Sequence, residues 1–444
     1  MTDYQRTLDW LYALEAAKGM DFKLERVALA LQRLGDPHRR YPVLHIAGTN
    51  GKGSVAALLD AVLRAAGRRV GLYTSPHLVD LAERIQLDGR PVSHATIIAL
   101  ADEVRAVSSA RGIDLTFFEI VTVMAFLAFA RAGIDAAVVE VGLGGRLDAT
   151  NVVDPLVAVI TSIGLDHTEW LGETRAAIAA EKGGIIKPGR PVVLGPLAAD
   201  AAEVLQRMAE DMHAPLVTGD DGAASPARAR RYRVGTAAGG GFDFDGLGWT
   251  LRGLPQVLRG AHQLRNAGTA VAALALVREP LGVDESAVRA GLAAVRWPGR
   301  LEIVDHAPLT IVDGAHNPDG AAALMRELPG MIGARPLHLL FAVMGDKDWR
   351  PMVEILAPGC RGVVVTEVRS PRGAPCREVA AAFAPHCPAV AEPDLARAWH
   401  LVRQNAGATG AVVAAGSLFL VGALRERGLH ASEAGLAGQG TAHP

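Results

Sequence analysis

HIAGTNGKGSVAALLDAVLRAAG, residues 45–67, decides the fold. An apolar run beginning at Val43 enters a turn containing Gly48, Gly51 and Gly53, and a helical pattern leaves directly after Ser54. Glycines let a backbone bend sharply and bring its N–H groups around a phosphate, and the start of a helix adds the positive end of a dipole. In this setting Lys52 is a mobile positive charge for β- and γ-phosphates and Ser54 a magnesium ligand, while Thr49 and Asn50 complete the loop. The spacing departs from the common phosphate-loop pattern because Gly53 separates Lys52 from Ser54. A tight packing turn is the structural alternative, but a lysine between two glycines favours the anion.

Working outward, RRVGLYTS, AAVVEVG, VAVITSI and PVVLG are apolar throughout and alternate with helical stretches. Such runs predict strands covered on both faces, hence an α/β fold with a mainly parallel sheet. Thr116 and Glu119 have the spacing of a capping box, and Ile120, Val123, Met124, Leu127 and Ala128 mark the apolar face of a helix ending at Gly133. Residues 221–250 are poor in aliphatics and read as irregular hairpins or loops. A second α/β unit begins near Trp297 with LTIVDGAHNP, PLHLLFAVMG, RGVVVTEV and TGAVVAAGS. The expected organisation is a domain over 1–296, a second over 297–432 and a flexible tail over 433–444.

With 45 Lys and Arg against 47 Asp and Glu, no overall positive field exists to hold a nucleic acid. The three cysteines, Cys360, Cys376 and Cys387, lack both finger spacing and disulfide density. The N-terminus lacks the basic start and unbroken apolar core of a signal peptide, and charges interrupt every long apolar stretch. These features predict a cytoplasmic protein away from membranes.

Ser75, Glu140 and His167 follow three strand candidates whose ends open onto one crevice in a doubly wound sheet. Together they could hold magnesium, although oxygen ligands suit that ion better than imidazole. Separately, Glu140 reads as a buried cap partner, His167 as a loop donor and Ser75 as a turn former. Lys182, at the end of a helix, reads as an ordinary surface lysine opposing the dipole. In the second unit Asp313 is placed to accept ribose or other polar hydrogens, and His316 and Asn317 to position a small substrate. A structural Asx turn is the alternative for the same residues. Arg300 is either a surface residue or a group that closes over a transferred phosphoryl.

The order of HIAGTNGKGS, LYTSPHL, FFEIVTVMAF, VEVGLGGRLDATN, ITSIGLDHTEWLG, IAAEKGGIIKPG, RGAHQLRNAGTA, WPGRLE and DGAHNP resembles the folate branch of the Mur ligase superfamily. The resemblance implies a central P-loop ATPase domain joined to a C-terminal Rossmann-like α/β domain, with ATP and magnesium between them. It implies phosphorylation of a substrate carboxylate by ATP and attack of the glutamate amine on the acyl phosphate, with closure excluding water. On this reading Lys52 and Ser54 handle phosphates and one magnesium, and Ser75, Glu140 and His167 a second. Lys182 matches a lysine that is carbamylated in many members. Asn266 and Asp313 match nucleotide contacts, Arg300 a phosphate contact, and His316 a residue near ATP and the incoming amino acid. Gln263 stands where an asparagine is frequent and receives no role.

The implied substrates are dihydropteroate, reduced folates and L-glutamate, handled by a monomer. The version DATN, Asp148–Asn151, looks like that of bifunctional members, with Asp148 bonding the pterin, Ala149 leaving room beside it, and either Phe117 or Phe118 stacking on the ring. Extension of folates alone is the nearest alternative. A nicotinamide enzyme fits less well, because the first glycine turn is not G-x-G-x-x-G. A non-enzymatic ATP-gated switch is the other class.

Overall fold

The computed structural model describes residues 1–18, 23–219, 229–368, 370 and 372–428. The chain divides into two compact units, Met1–Arg296 and Trp297–Pro444.

The strands of the first unit are β1 (Val43–Ala47), β2 (Val70–Tyr73), β3 (Ile85–Leu87), β4 (Arg90–Pro91), β5 (Ala136–Glu140), β6 (Val157–Ile160), β7 (Val192–Leu194), β8 (Leu216–Gly219), β9 (Arg230–Thr236), β10 (Phe242–Gly246) and β11 (Trp249–Leu254). They form one sheet in the order β11-β10-β9-β8-β7-β6-β1-β5-β2-β3-β4. From β2 through β9 the neighbours run parallel, and both edges are antiparallel. The apolar runs seen in the sequence are the buried central strands β1, β2, β5, β6 and β7, as expected of strands covered on both faces.

Chain order reverses at β1, which lies between β5 and β6. A doubly wound sheet opens a crevice at the carboxyl ends of the strands at such a point. The helix Lys52–Ala65 leaves β1 there and is buried from Gly53 through Leu63. The helix Phe117–Ala132 starts as its sequence predicts, with reciprocal Thr116 and Glu119 capping bonds, and ends on left-handed Gly133.

The described part of the region read as irregular is regular. Residues 230–254 form the meander β9-β10-β11, while 220–228 lie outside the described residues. Only one face of this meander is apolar, with Tyr232, Phe242, Phe244, Leu251 and Leu254 buried. The expected hairpins are present, and their regular pairing is hidden because alternation of this kind is weak in glycine-rich sequence. The helix Ala261–Leu281 packs close over this face, since a side chain at Gly268 would overlap Val234.

The second unit holds β12 (Glu302–His306), β13 (Leu309–Val312), β14 (Leu337–Phe341), β15 (Gly362–Val365), β16 (Ala389–Ala391) and β17 (Ala411–Ala415), in the order β12-β13-β17-β14-β15-β16. All pairs are parallel except β12 with β13. The last strand inserts between β13 and β14, so the carboxyl end of β13 also lies at a reversal of order. Its core includes Ile311, Leu339, Phe341, Val363, Phe383 and Val413. The tail assigned to 433–444 lies outside the described residues. Among the described residues no helix is long and apolar enough to cross a membrane.

Candidate active site

The loop Gly48–Ser54 is held from two sides. From the end of β6, the hydroxyls of Thr161 and Ser162 donate to Asn50 O (2.7 and 2.8 Å), and Ser162 Oγ accepts from Asn50 N (2.9 Å). Thr49 Oγ1 exchanges hydrogen bonds with Gly164 O and N. Gly48, at φ 149°, has no room for a side chain because a Cβ would overlap Thr161 Oγ1. From the helix Ala261–Leu281, Asn266 lies against Gly51, where a Cβ would come within 2.6 Å of its Oδ1.

Gln263, on the same helix, donates to Ser54 Oγ (3.2 Å) and accepts from Asn266 Nδ2 (3.0 Å). Sequence reasoning assigns Gln263 no role and misses Thr161 and Ser162. The only signal for them was polar residues in tandem at the end of an apolar strand. Lys52 Nζ donates to the carbonyls of Gly48 and Thr49 (3.1 and 3.2 Å). Val55 N–H is the first to bond back along the helix, onto Gly51 O (2.9 Å). The earlier N–H groups of Gly53 and Ser54 are therefore the helix's orphan donors at its positive end.

On the neighbouring strands, Ser75 follows β2 and its N–H donates to Glu140 Oε2 (3.2 Å), so these two residues are brought together. Glu140, 4% exposed at the end of β5, accepts this bond. His167 lies beyond β6, at the start of the turn Thr168–Leu171, with φ +51°. That left-handed backbone is unusual for a non-glycine residue. Among the described residues no three His, Cys, Asp or Glu side chains gather as a metal centre. Ser54, Ser75 and Glu140 carry oxygen donors, the ligand type that magnesium prefers.

The surface reading of Lys182 is overturned, because it is 4% exposed in the last turn of the helix Arg175–Gly183. That helix end is sewn to the loop 142–151. Arg146 N donates to Glu181 O (2.8 Å), and Asn151 Nδ2 donates to Arg146 O (2.9 Å) and Gly184 O (3.1 Å).

Three pterin expectations change. Asp148 accepts at Oδ2 from the N–H groups of Gly142 (3.0 Å) and Leu143 (2.9 Å), and at Oδ1 from Thr150 N (3.0 Å) and Thr150 Oγ1. A carboxylate offers about four acceptor positions, so the protein itself fills them and none is left for a pterin. Burial pushes the Asp148 carboxyl up, and these donors oppose that shift. Ala149 is 5% exposed within the apolar core. Phe117 is also core, tilted against Tyr12 (5.7 Å) beneath the Arg84 guanidinium (5.2 Å). Phe118 is half-buried and lies against Gly142, where a side chain would overlap its ring. Of the two phenylalanines, Phe118 is the one facing the loop.

In the second unit, polar side chains at the end of β13 are largely spent on the turn itself. Asp313, 7% exposed, accepts from Leu301 N and Ala315 N (both 2.8 Å). Asn317 caps the helix Pro318–Ile332 by accepting from Gly320 N (2.8 Å). The expected substrate-positioning residue is therefore first a cap. His316 Nδ1 lies 2.8 Å from Gly314 O. Arg300 lies over Gly314 and, among the described residues, forms no hydrogen bond or ion pair. It is a half-buried cation with its donors unspent.

A glycine-lined loop at the switch point of one sheet, followed by a second parallel-sheet unit, is the arrangement of a phosphate-binding α/β protein. Residues 46–274 match the Mur ligase middle domain, and 299–418 match the Mur ligase glutamate ligase domain. The dihydrofolate synthase/folylpolyglutamate synthase of Mycobacterium tuberculosis is 42% identical over 376 residues, covering 80% of this chain and 76% of the relative. The Escherichia coli protein solved in complex with DHPP and ADP superposes with a TM-score of 0.85 at 34% identity, over 95% of this chain and 97% of the other. The bifunctional folylpolyglutamate synthase/dihydrofolate synthase of Yersinia pestis, complexed with AMPPNP and Mn, gives 0.83 at 33% identity, over 95% and 97%. The chain belongs to the dihydrofolate synthase/folylpolyglutamate synthase family of Mur ligases.

Proposed function

We infer that the chain is an ATP-dependent amide-forming ligase that joins L-glutamate to dihydropteroate and then extends reduced folates by the same chemistry. The observation that carries this reading is the phosphate loop at β1 with the Ser75–Glu140 pair at the adjoining strand ends, in a chain with both Mur ligase domains. A substrate carboxylate oxygen attacks the γ-phosphorus of ATP and ADP leaves. The glutamate nitrogen then attacks the resulting acyl phosphate, losing a proton, and inorganic phosphate leaves.

For the first step two anions must meet. Lys52 moves from the loop carbonyls onto the phosphates, the orphan N–H groups of Gly53 and Ser54 bind phosphate oxygens, and Arg300 supplies a second cation. Ser54, Ser75, Glu140 and His167 are the residues that would hold magnesium, which when bound neutralises phosphate charge. Asn266 and Asp313 contact the nucleotide, the latter through acceptor positions left after its two turn bonds, and His316 lies near the amino acid. Lys182 is the residue to carry a carbamate, its burial being consistent with a modified rather than a solvated ammonium. Phe118 stacks on the pterin beside the loop that Asp148 shapes.

The testing experiment is the product mass after incubation with ATP, magnesium, L-glutamate and dihydropteroate. A product heavier by one glutamyl unit, with ADP formed only when both acid and amine are present, is expected. Addition to folates but never to dihydropteroate would reduce the enzyme to extension alone, and ATP turnover independent of both substrates would favour a switch.

A further inference from the structure

His45 lies in the middle of β1, 0% exposed, three residues before the phosphate loop. Its Nε2 is 2.8 Å from Thr150 Oγ1. The Thr150 hydroxyl donates its one hydrogen to Asp148 Oδ1, so toward His45 it can only accept. His45 therefore carries its proton on Nε2, and Nδ1 is a bare acceptor. That nitrogen is buried with no hydrogen-bond partner.

An unpaired buried ring nitrogen costs free energy, and an apolar side chain would fill a central strand without that cost. Burial drives the imidazole pKa down to about 3, with Lys187 adding to the effect, so the ring stays neutral and its donor constant across working pH. The histidine thus serves something other than packing. It joins a continuous network in which His45 donates to Thr150, Thr150 donates to Asp148, and Asp148 accepts from the N–H groups of Gly142 and Leu143. Gly142 is the second residue after Glu140 and is the one that lies against Phe118.

We propose that His45 and Thr150 are positioning residues for the acid substrate, holding the 142–148 loop beside Phe118 from the strand that carries the phosphate loop. This rests on the pterin reading above. Neither residue touches substrate. They keep Asp148 turned so that both loop N–H groups remain bound, and with them the wall of the ring site. Loss of the Thr150 hydroxyl removes one of the four donors that orient Asp148 and leaves the His45 donor unpaired, while the phosphate loop keeps its own bonds to Thr161, Ser162 and Gln263.

The test is steady-state kinetics on Thr150→Val, Thr150→Ser and His45→Leu in the full chain, with melting temperature measured beside it. Thr150→Val should raise KM for dihydropteroate by ~10-fold while KM for ATP stays within about 2-fold, since an interaction that binds one substrate is lost without touching the other. Thr150→Ser should restore the wild-type value. His45→Leu removes the unpaired nitrogen and should melt no lower than wild type, yet show the same selective rise in KM. A merely structural role predicts the reverse, with lowered melting and both KM values moving together or not at all. Normal KM for dihydropteroate in His45→Leu and Thr150→Val overturns the proposal. A wild-type enzyme that makes no product from any pterin acid overturns the substrate reading instead, so the two failures are distinct.

Discussion

Two strand-to-helix turns of similar outline, Gly48–Ser54 after β1 and Asp313–Asn317 after β13, use their polar groups in opposite ways. The first is shaped largely from outside, with Thr49 and Lys52 adding bonds of their own. Its backbone is clasped from outside by Thr161, Ser162 and Asn266, while Lys52 rests on two carbonyls of the loop. The second is built by its own side chains, with Asp313 binding two backbone N–H groups and Asn317 capping the next helix. A turn shaped by neighbours can give up its lysine's bonds to a ligand without losing its form. A turn that shapes itself needs its free charge from elsewhere, and here that charge is Arg300.

The comparison is most exposed at Lys52. Because the loop's geometry comes from glycines and from its neighbours, Lys52→Ala should lose turnover by about 10²–10³-fold, the usual consequence of removing one electrostatic stabiliser. Its unfolding free energy without nucleotide should stay within about 0.5 kcal/mol of wild type, as for a substitution outside the core. A large drop in denaturant midpoint would mean that the lysine is part of the loop's architecture after all.

The second turn should divide the same two quantities differently. Arg300→Ala removes a group with no hydrogen-bond or ion-pair partner among the described residues and should lower kcat by roughly 10–100-fold while leaving stability nearly unchanged. Asp313→Ala leaves the N–H groups of Leu301 and Ala315 unpaired and releases Leu301 from its positive φ of 45°. Each orphaned buried donor costs about 1–3 kcal/mol, so this variant should lose roughly 2–5 kcal/mol in urea unfolding. Equal stability of the two variants would erase the distinction.

The same contrast explains what could be read before the structure. Glycine positions, Lys52, the apolar strands and the Thr116–Glu119 box are local signals, in which each residue's meaning follows from its neighbours in sequence. Gln263 on Ser54 and His45 on Thr150 join residues 209 and 105 positions apart, which no periodicity reports. Asp148 and Asn317 were visible as polar residues in turns, but their capacity is a matter of counting donors around each oxygen. That count exists only in three dimensions. Lys182 failed for the related reason that a lysine in the last turn of a helix is ordinarily solvated, and here the loop 142–151 covers it.

The smallest effect is the most discriminating for the second turn. Asn317 accepts from Gly320 N, and Pro318 after it needs no N–H partner, so the side chain satisfies one orphan donor at a helix start. Asn317→Ala should therefore cost about 1 kcal/mol, seen as roughly five-fold faster amide exchange in the first turn of Pro318–Ile332. Asn317→Asp caps equally well and adds a negative charge where the helix dipole favours it, so exchange there should match wild type or be slower. Turnover then separates the two roles expected of this residue. If Asn317 only caps, Asn317→Asp keeps wild-type kcat and both KM values. If its amide also meets a substrate, Asn317→Asp is fully folded and yet impaired, because a carboxylate cannot donate the N–H that the amide can.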